Sequence, residues 1–348
     1  MTRAAPIARR LGTGPLILFA AIGILLADAI IVWVGTQGDF AFDFTCCYQQ
    51  AAERAINNPA TLYDWSDTYT FRYTPIGALL FAPLVPLSAD GAAWIWLVVK
   101  LAILTLTAFW YSSRWSGSQR LGVVLLVLAF PPIVHDLVIG NVSTITVLVL
   151  LAVARWQDAR GGVAIGLLTV LMPKPHLVPV LAYLAIRRPR DFAAAALTMG
   201  AGVLIGLLIF GVDPWVAFFD SLREPLERTF TANIGWSGLL GPVGVVIGVA
   251  IGVVVFVVGV RMGGSRGYGL SILAGILAGP YTFIHYLSGS LVAFEPTLRT
   301  RPRWLSPFPW LLIAFPLIPV WLTVLAGVVR ASPEPLEEVA APPATARG

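Results

Sequence analysis

Apolar blocks of about 20 residues, separated by short basic connections, recur along this chain, and no other feature constrains its fold as tightly. A helix of that length crosses the hydrocarbon of a bilayer. In lipid, a lone segment can satisfy its own backbone hydrogen bonds only as a helix. Charged residues make up 12% of the 348 positions, about half the share usual in soluble domains, and mean hydropathy is +0.82. No polar stretch between the blocks is long enough to build a soluble domain. The fold class read from this pattern is all-α: a polytopic membrane bundle of nine to eleven helices, including short broken ones. Residues 1–330 form one transmembrane domain with an outer loop at 36–73, and 331–348 form a disordered acidic tail.

The expected spans are 15–35, 90–111, 121–139, 140–156, 192–211, 236–260 and 307–329. The first follows Arg3, Arg9 and Arg10 but is long for a signal peptide and lacks a small-residue cleavage site, so it reads as a retained helix. Three further apolar stretches are interrupted. Residues 74–87 carry three prolines and read as a re-entrant or interfacial segment. Residues 161–186 break at Pro173-Lys174-Pro175-His176, and 268–297 break around Pro280 to His285, each giving two short helices about a polar turn. Irregular backbone at membrane depth is tolerated only where protein or a water-filled cavity surrounds it.

Basic residues cluster in loops of one parity, which orients the chain. With the N-terminus cytoplasmic, fifteen arginines from Arg3 to Arg303 fall on the inner side. That placement brings Asp43, His135, Asp136, Asn141, Lys174, His176, Asn233 and His285 to the outer face, including all three histidines of the chain. The net charge of +5 is therefore topological and argues against nucleic-acid binding. The expected location is the plasma membrane, with the functional face extracytoplasmic.

In the first outer loop, Phe44, Cys47, Tyr48, Ala51 and Ala55 recur at three- and four-residue spacing, with Gln49, Gln50, Glu53 and Arg54 opposite. That is an amphipathic helix suited to a membrane surface. Spacing alone makes Asp43 its N-cap; the alternative is a carboxylate held where a lipid-borne acceptor meets a hydrophilic pocket. Cys46 and Cys47 are adjacent, a spacing that favours packing over a disulfide or a metal. Lys100 and Asp28 lie within apolar blocks, and ionisable residues there need partners; the expected pairs are with each other or with Glu295. Nothing in the spacing demands a metal, although Asp43 and a second outer carboxylate leave room for a divalent cation.

The loop DFTCCYQQAAERAINNPATLY followed by FRYTPIGALLFAPL resembles the first outer loop of glycosyltransferase family 87, polyprenyl-phosphate-mannose-dependent enzymes of GT-C architecture. The matching positions are Asp43-Phe44, Tyr48, Ala51-Ala52, Leu62-Tyr63 and Phe71-x-Tyr73-x-Pro75. Farther on, GNVSTITVLVLLA resembles a segment that usually reads Gly-Gln, with Asn141 in place of Gln. Lys174-Pro175, Asn233 with Ser237, and Pro280-x-Thr282-x-x-His285 resemble further family elements in the family's order, across residues 39–295. The resemblance implies a hexosyltransferase of the cell envelope, moving mannose with inversion from a polyprenyl phosphate to a lipid or glycan acceptor.

On that reading Asp43 is the general base, with Asp39 the alternative. Lys174 and His285 stabilise the leaving phosphate, backed by His176 and Arg72, while Tyr48, Asn141 and Asn233 bind substrate. No organic cofactor is implied. The residue-level alternatives are a snorkelling interfacial cation for Lys174 and a hydrogen-bonded turn residue for His285. A transporter or flippase of lipid-linked sugars is the competing function, since broken helices also build transport sites.

Overall fold

The computed structural model describes residues 40–64, 71–222 and 233–300, with residue 29 alone before them. The expected spans at 15–35 and 307–329, Asp28, Asp39 and the C-terminal tail lie outside the described residues. Among the described residues there are thirteen α-helices and no strand. They are α1 (Gln49–Asn57), α2 (Pro75–Ala78), α3 (Ala89–Ser112), α4 (Gly117–Leu128), α5 (Pro131–Ile139), α6 (Ser143–Arg155), α7 (Ala159–Leu171), α8 (Val178–Arg187), α9 (Pro189–Phe210), α10 (Asp213–Ser221), α11 (Trp236–Met262), α12 (Gly264–Ala278) and α13 (Ser290–Thr300). The number exceeds the expected nine to eleven because prolines and glycines divide several apolar stretches.

Helices α3, α9 and α11 are long and apolar enough to cross a membrane, and α4 with α5 forms a fourth, bent by 42°. The bend falls where Pro131 and Pro132 open α5, since proline cannot donate to the preceding turn. Apolar side chains such as Leu197, Leu204 and Leu208 of α9 and Val243, Val246 and Val254 of α11 are exposed. In water such surfaces would be a liability; against lipid they are the required exterior.

The expected span at 140–156 is instead the 13-residue α6, about 20 Å long and too short for a bilayer. Its apolar side chains are inward: Val147, Leu150, Leu151 and Val153 are all buried. An apolar run of this length fits a buried core helix as well as part of a span, and composition alone cannot separate the two.

Both interrupted stretches fold as expected from their breaks. Helices α7 and α8 flank a turn holding a 3-10 segment, Pro175–Leu177. Helices α12 and α13 flank a second, Ile284–Gly289. The 74–87 stretch is α2 followed by the 3-10 segment Leu79–Leu84, with Thr74 capping at Gly77 N–H, 3.3 Å.

The amphipathic loop helix begins as a π-helical turn, Phe44–Tyr48, before α1. Its apolar face is buried at Phe44, Tyr48, Ala51, Ala52 and Ala55. Aromatic stacking seats it: Phe44 lies 5.8 Å from Trp96 of α3, and Tyr48 lies 4.9 Å from Phe81. Cys46 and Cys47 are bonded to each other, correcting the packing reading. Their Cα atoms are 3.8 Å apart, below the usual range, which is why spacing argued against a bond.

Candidate active site

Asp43 is brought to the bundle by a close backbone approach. Ala41 N–H donates to the Val138 carbonyl at 2.7 Å, docking the loop on the end of α5. Gly140 ends α5 in the left-handed region (φ 76°), and a Cβ there would stand 2.8 Å from the Phe44 Cβ. Only glycine combines that conformation with that clearance. Trp96 Nε1 donates to the Gly140 carbonyl at 2.8 Å, fixing the turn to α3.

Asp43 precedes the π turn but makes no capping hydrogen bond with its side chain. Its Oδ2 instead accepts from Asn141 Nδ2 at 2.6 Å. The orientation of the Asn141 amide follows from its other end. Oδ1 accepts from Val142 N–H at 2.8 Å and from Ser143 Oγ at 3.1 Å, and a backbone N–H can only be met by oxygen. The NH₂ group must therefore face Asp43 and the Tyr48 hydroxyl, the latter at 3.0 Å. Asp43 lies outside every span-length helix. Burial raises its carboxyl above the usual carboxylate range, partly offset by the Asn141 hydrogen bond.

Lys174 meets the same amide from the opposite end. Its Nζ is 3.4 Å from Asn141 Oδ1 and 3.0 Å from Ser143 Oγ. The turn that carries Lys174 and His176 closes on α12 at Gly275, where a Cβ would stand 1.9 Å from the His176 carbonyl. One asparagine side chain thus separates a carboxylate from an ammonium.

Tyr286 continues the site beyond Lys174, whose Nζ lies 4.8 Å from the ring centroid, a cation–π distance. Around Tyr286 the His285 ring is at 4.7 Å and the His176 ring at 4.9 Å, while His135 stacks on His285 at 5.9 Å. Each of the three histidines has a buried Nδ1 without a hydrogen-bond partner. Buried polar atoms are rarely left so, and a cluster of them beside a lysine suits an anionic, oxygen-rich ligand.

The remaining sequence candidates take other positions. Asn233 Oδ1 accepts from Gly235 N–H and Thr282 N–H at 2.9 and 3.0 Å, and its Nδ2 donates to Ser237 Oγ at 2.8 Å. It braces the loop that leads into His285. Arg72 Nη1 reaches the Ser221 carbonyl of α10 at 3.4 Å.

Lys100 does not pair with Glu295, and Asp28, the other expected partner, lies outside the described residues. Its Nζ lies 2.9 Å from Asp136 Oδ2, both side chains fully buried. Asp136 also caps α6, accepting from Ser143 N–H at 2.8 Å and Thr144 N–H at 3.1 Å. Glu295 pairs with Arg155 at 2.8 Å, at the far end of α6 from Asn141. Sequence reasoning assigned no role to Ser143, Tyr73 or Tyr286. Tyr286 adjoins His285 and Ser143 lies two residues from Asn141, so proximity in sequence was their available signal.

A family model, glycosyltransferase family 87, matches residues 71–284 of the chain. The chain belongs to glycosyltransferase family 87. No curated protein and no solved structure matches it. The segment matched within this glycosyltransferase contains Tyr73, Asn141, Lys174 and His176. It begins after Asp43 and Tyr48 and ends one residue before His285.

Proposed function

We propose that this membrane glycosyltransferase moves a hexose, mannose, from a polyprenyl-phosphate sugar to a lipid or glycan acceptor on the extracytoplasmic face. The observation that carries the proposal is the Asn141 side chain, with Asp43 at its nitrogen end and Lys174 at its oxygen end. Transfer from a sugar phosphate needs a base at the attacking oxygen and positive charge at the departing one. Here both stand on one amide.

In the proposed reaction Asp43 takes the proton of an acceptor hydroxyl as that oxygen bonds to the anomeric carbon. The bond from that carbon to the phosphate oxygen breaks, and the electron pair leaves with the phosphate. Lys174 balances that charge, with His285 and His176 as hydrogen-bonding partners. Asn141 holds the carboxylate in place. Among the described residues no group of three His, Cys, Asp or Glu side chains is arranged to hold a metal ion, so no step is assigned to one. Chemistry is favoured over transport because the family is one of transferases.

The test uses purified protein in lipid, supplied with radiolabelled polyprenyl-phosphate mannose and membrane-extracted acceptors. Label should pass to a lipid or glycan product. Failure to transfer, with the protein folded, would overturn the proposal. Accessibility labelling of single introduced cysteines should place residue 43 outside and residues 187–190 inside; the reverse would end the extracytoplasmic assignment.

A further inference from the structure

Hydrogen-bond direction can be followed from the backbone outward through this site. Val142 N–H fixes Asn141 Oδ1 as an acceptor, so Asn141 Nδ2 donates to the Tyr48 hydroxyl at 3.0 Å. The Tyr48 and Tyr73 hydroxyl oxygens are 3.3 Å apart. Either could donate to the other, but accepting from Asn141 polarises Tyr48 and strengthens it as a donor, so the head-to-tail order is favoured. Tyr73 then accepts, and its own proton has no acceptor among the described residues.

Tyr73 is 9% exposed, and a buried hydroxyl without an acceptor is costly. Its ring is held by Tyr48 at 5.6 Å and Phe71 at 5.5 Å, and Tyr63 donates to its backbone carbonyl at 2.6 Å. Burial, then the neighbouring Tyr286 and Asp43, hold its phenol well above the ordinary value, although the Tyr48 hydrogen bond opposes this. The group therefore keeps its proton and stays a donor. It lies within electrostatic reach of Asp43 and of Tyr286, which carries Lys174 on its face.

We propose that the Tyr73 hydroxyl donates a hydrogen bond to an oxygen of the sugar-phosphate donor, making Tyr73 a further substrate-binding residue of the transferase. The proposal rests on the polyprenyl-phosphate hexose reading above. It assigns the chain from Asn141 through Tyr48 to Tyr73 the task of aiming one buried proton at the substrate.

The experiment compares wild type, Tyr73→Phe and Tyr183→Phe in lipid nanodiscs, with a short-chain polyprenyl-phosphate mannose and with polyprenyl phosphate alone. Tyr73→Phe keeps the ring and removes only the hydroxyl. Its affinity for the mannose donor should fall about 10- to 100-fold, the range for a hydrogen bond to a charged group. Its unfolding temperature should stay close to that of wild type. Tyr183→Phe, which removes a hydroxyl that donates to the Gly264 carbonyl at 2.9 Å away from the site, should leave donor affinity unchanged. A parallel loss of polyprenyl phosphate binding would place the contact on a phosphate oxygen, and a loss confined to the intact donor would place it on the sugar.

Wild-type affinity in Tyr73→Phe would overturn the Tyr73 assignment and leave the reaction intact. A wild-type protein that neither binds nor consumes the donor would overturn both. Should Tyr73→Phe fail to fold, 3-fluorotyrosine incorporated at position 73 keeps ring and hydroxyl while strengthening the donor. Donor affinity should then tighten, and an unchanged value would overturn the proposal.

Discussion

Asn141 Nδ2 donates to Asp43 Oδ2 at 2.6 Å, while Oδ1 of the same side chain is 3.4 Å from Lys174 Nζ. The amide cannot rotate without leaving Val142 N–H unpaired, so the two charged groups are held in fixed relation. The carboxylate is thus free of the capping role its position in sequence implied.

Asp43→Asn removes the ability to take a proton while keeping side-chain size. No capping hydrogen bond is lost, because Asp43 makes none. Turnover should fall by about 10²–10⁴-fold, the usual contribution of a general base, with donor affinity nearly unchanged. Single-turnover transfer and equilibrium donor binding measure the two quantities separately. Near-normal transfer by Asp43→Asn would move the base elsewhere, and Asp39→Asn should be much milder.

The pH profile carries a second test. Burial raises the Asp43 carboxyl, so the acid limb of kcat/KM should lie above the value of about 4 expected for an ordinary aspartate. Activity is present above that limb and is lost as pH falls through it. The Asn141 hydrogen bond lowers the carboxyl's pKa, so Asn141→Ala should move the limb to higher pH. A limb that stays in place would show that another group controls it.

Lys174→Met and His285→Ala should weaken binding of polyprenyl phosphate and slow transfer. In Lys174→Met, Asn141 Oδ1 keeps its bonds from Val142 and Ser143, so the fold should persist. Activity and the folded fraction are read together by a transfer assay and thermal unfolding in detergent. Activity loss that only follows unfolding would return both residues to structural roles.

The Lys100–Asp136 pair should matter for stability. Removing one partner of a buried ion pair leaves an uncompensated charge and costs about 3–5 kcal/mol. Lys100→Met and Asp136→Asn should each lower the unfolding midpoint sharply, and the double variant should lose less than the sum. Additive losses would mean the two side chains contribute independently.

Much of the architecture is local and was legible. The spans now seen as α3, α9 and α11 follow from apolar length, and the breaks at Lys174 and His285 follow from proline and polar residues within apolar runs. The buried face of the loop helix follows from helical periodicity, which needs no knowledge of what it packs against. The convergence of Asp43, Asn141, Lys174, His176 and His285 was anticipated only as a shared face.

Partnership was not legible, because it depends on which distant turns the packing brings together. Asp43 and Asn141 are 98 positions apart, and they meet only because Gly140 and Ala41 let two backbones touch. The same reason explains why Lys100 found Asp136 and not Glu295, and why Asp43 holds Asn141 instead of capping its helix. The 140–156 block reads as a span because hydropathy registers removal from water and cannot tell lipid from protein interior. Sequence by itself determined which segments are helical and where they must break. Only the tertiary structure decided which polar groups face one another, since a hydrogen bond is fixed by geometry at about 3 Å and hydrophobic burial is not directional.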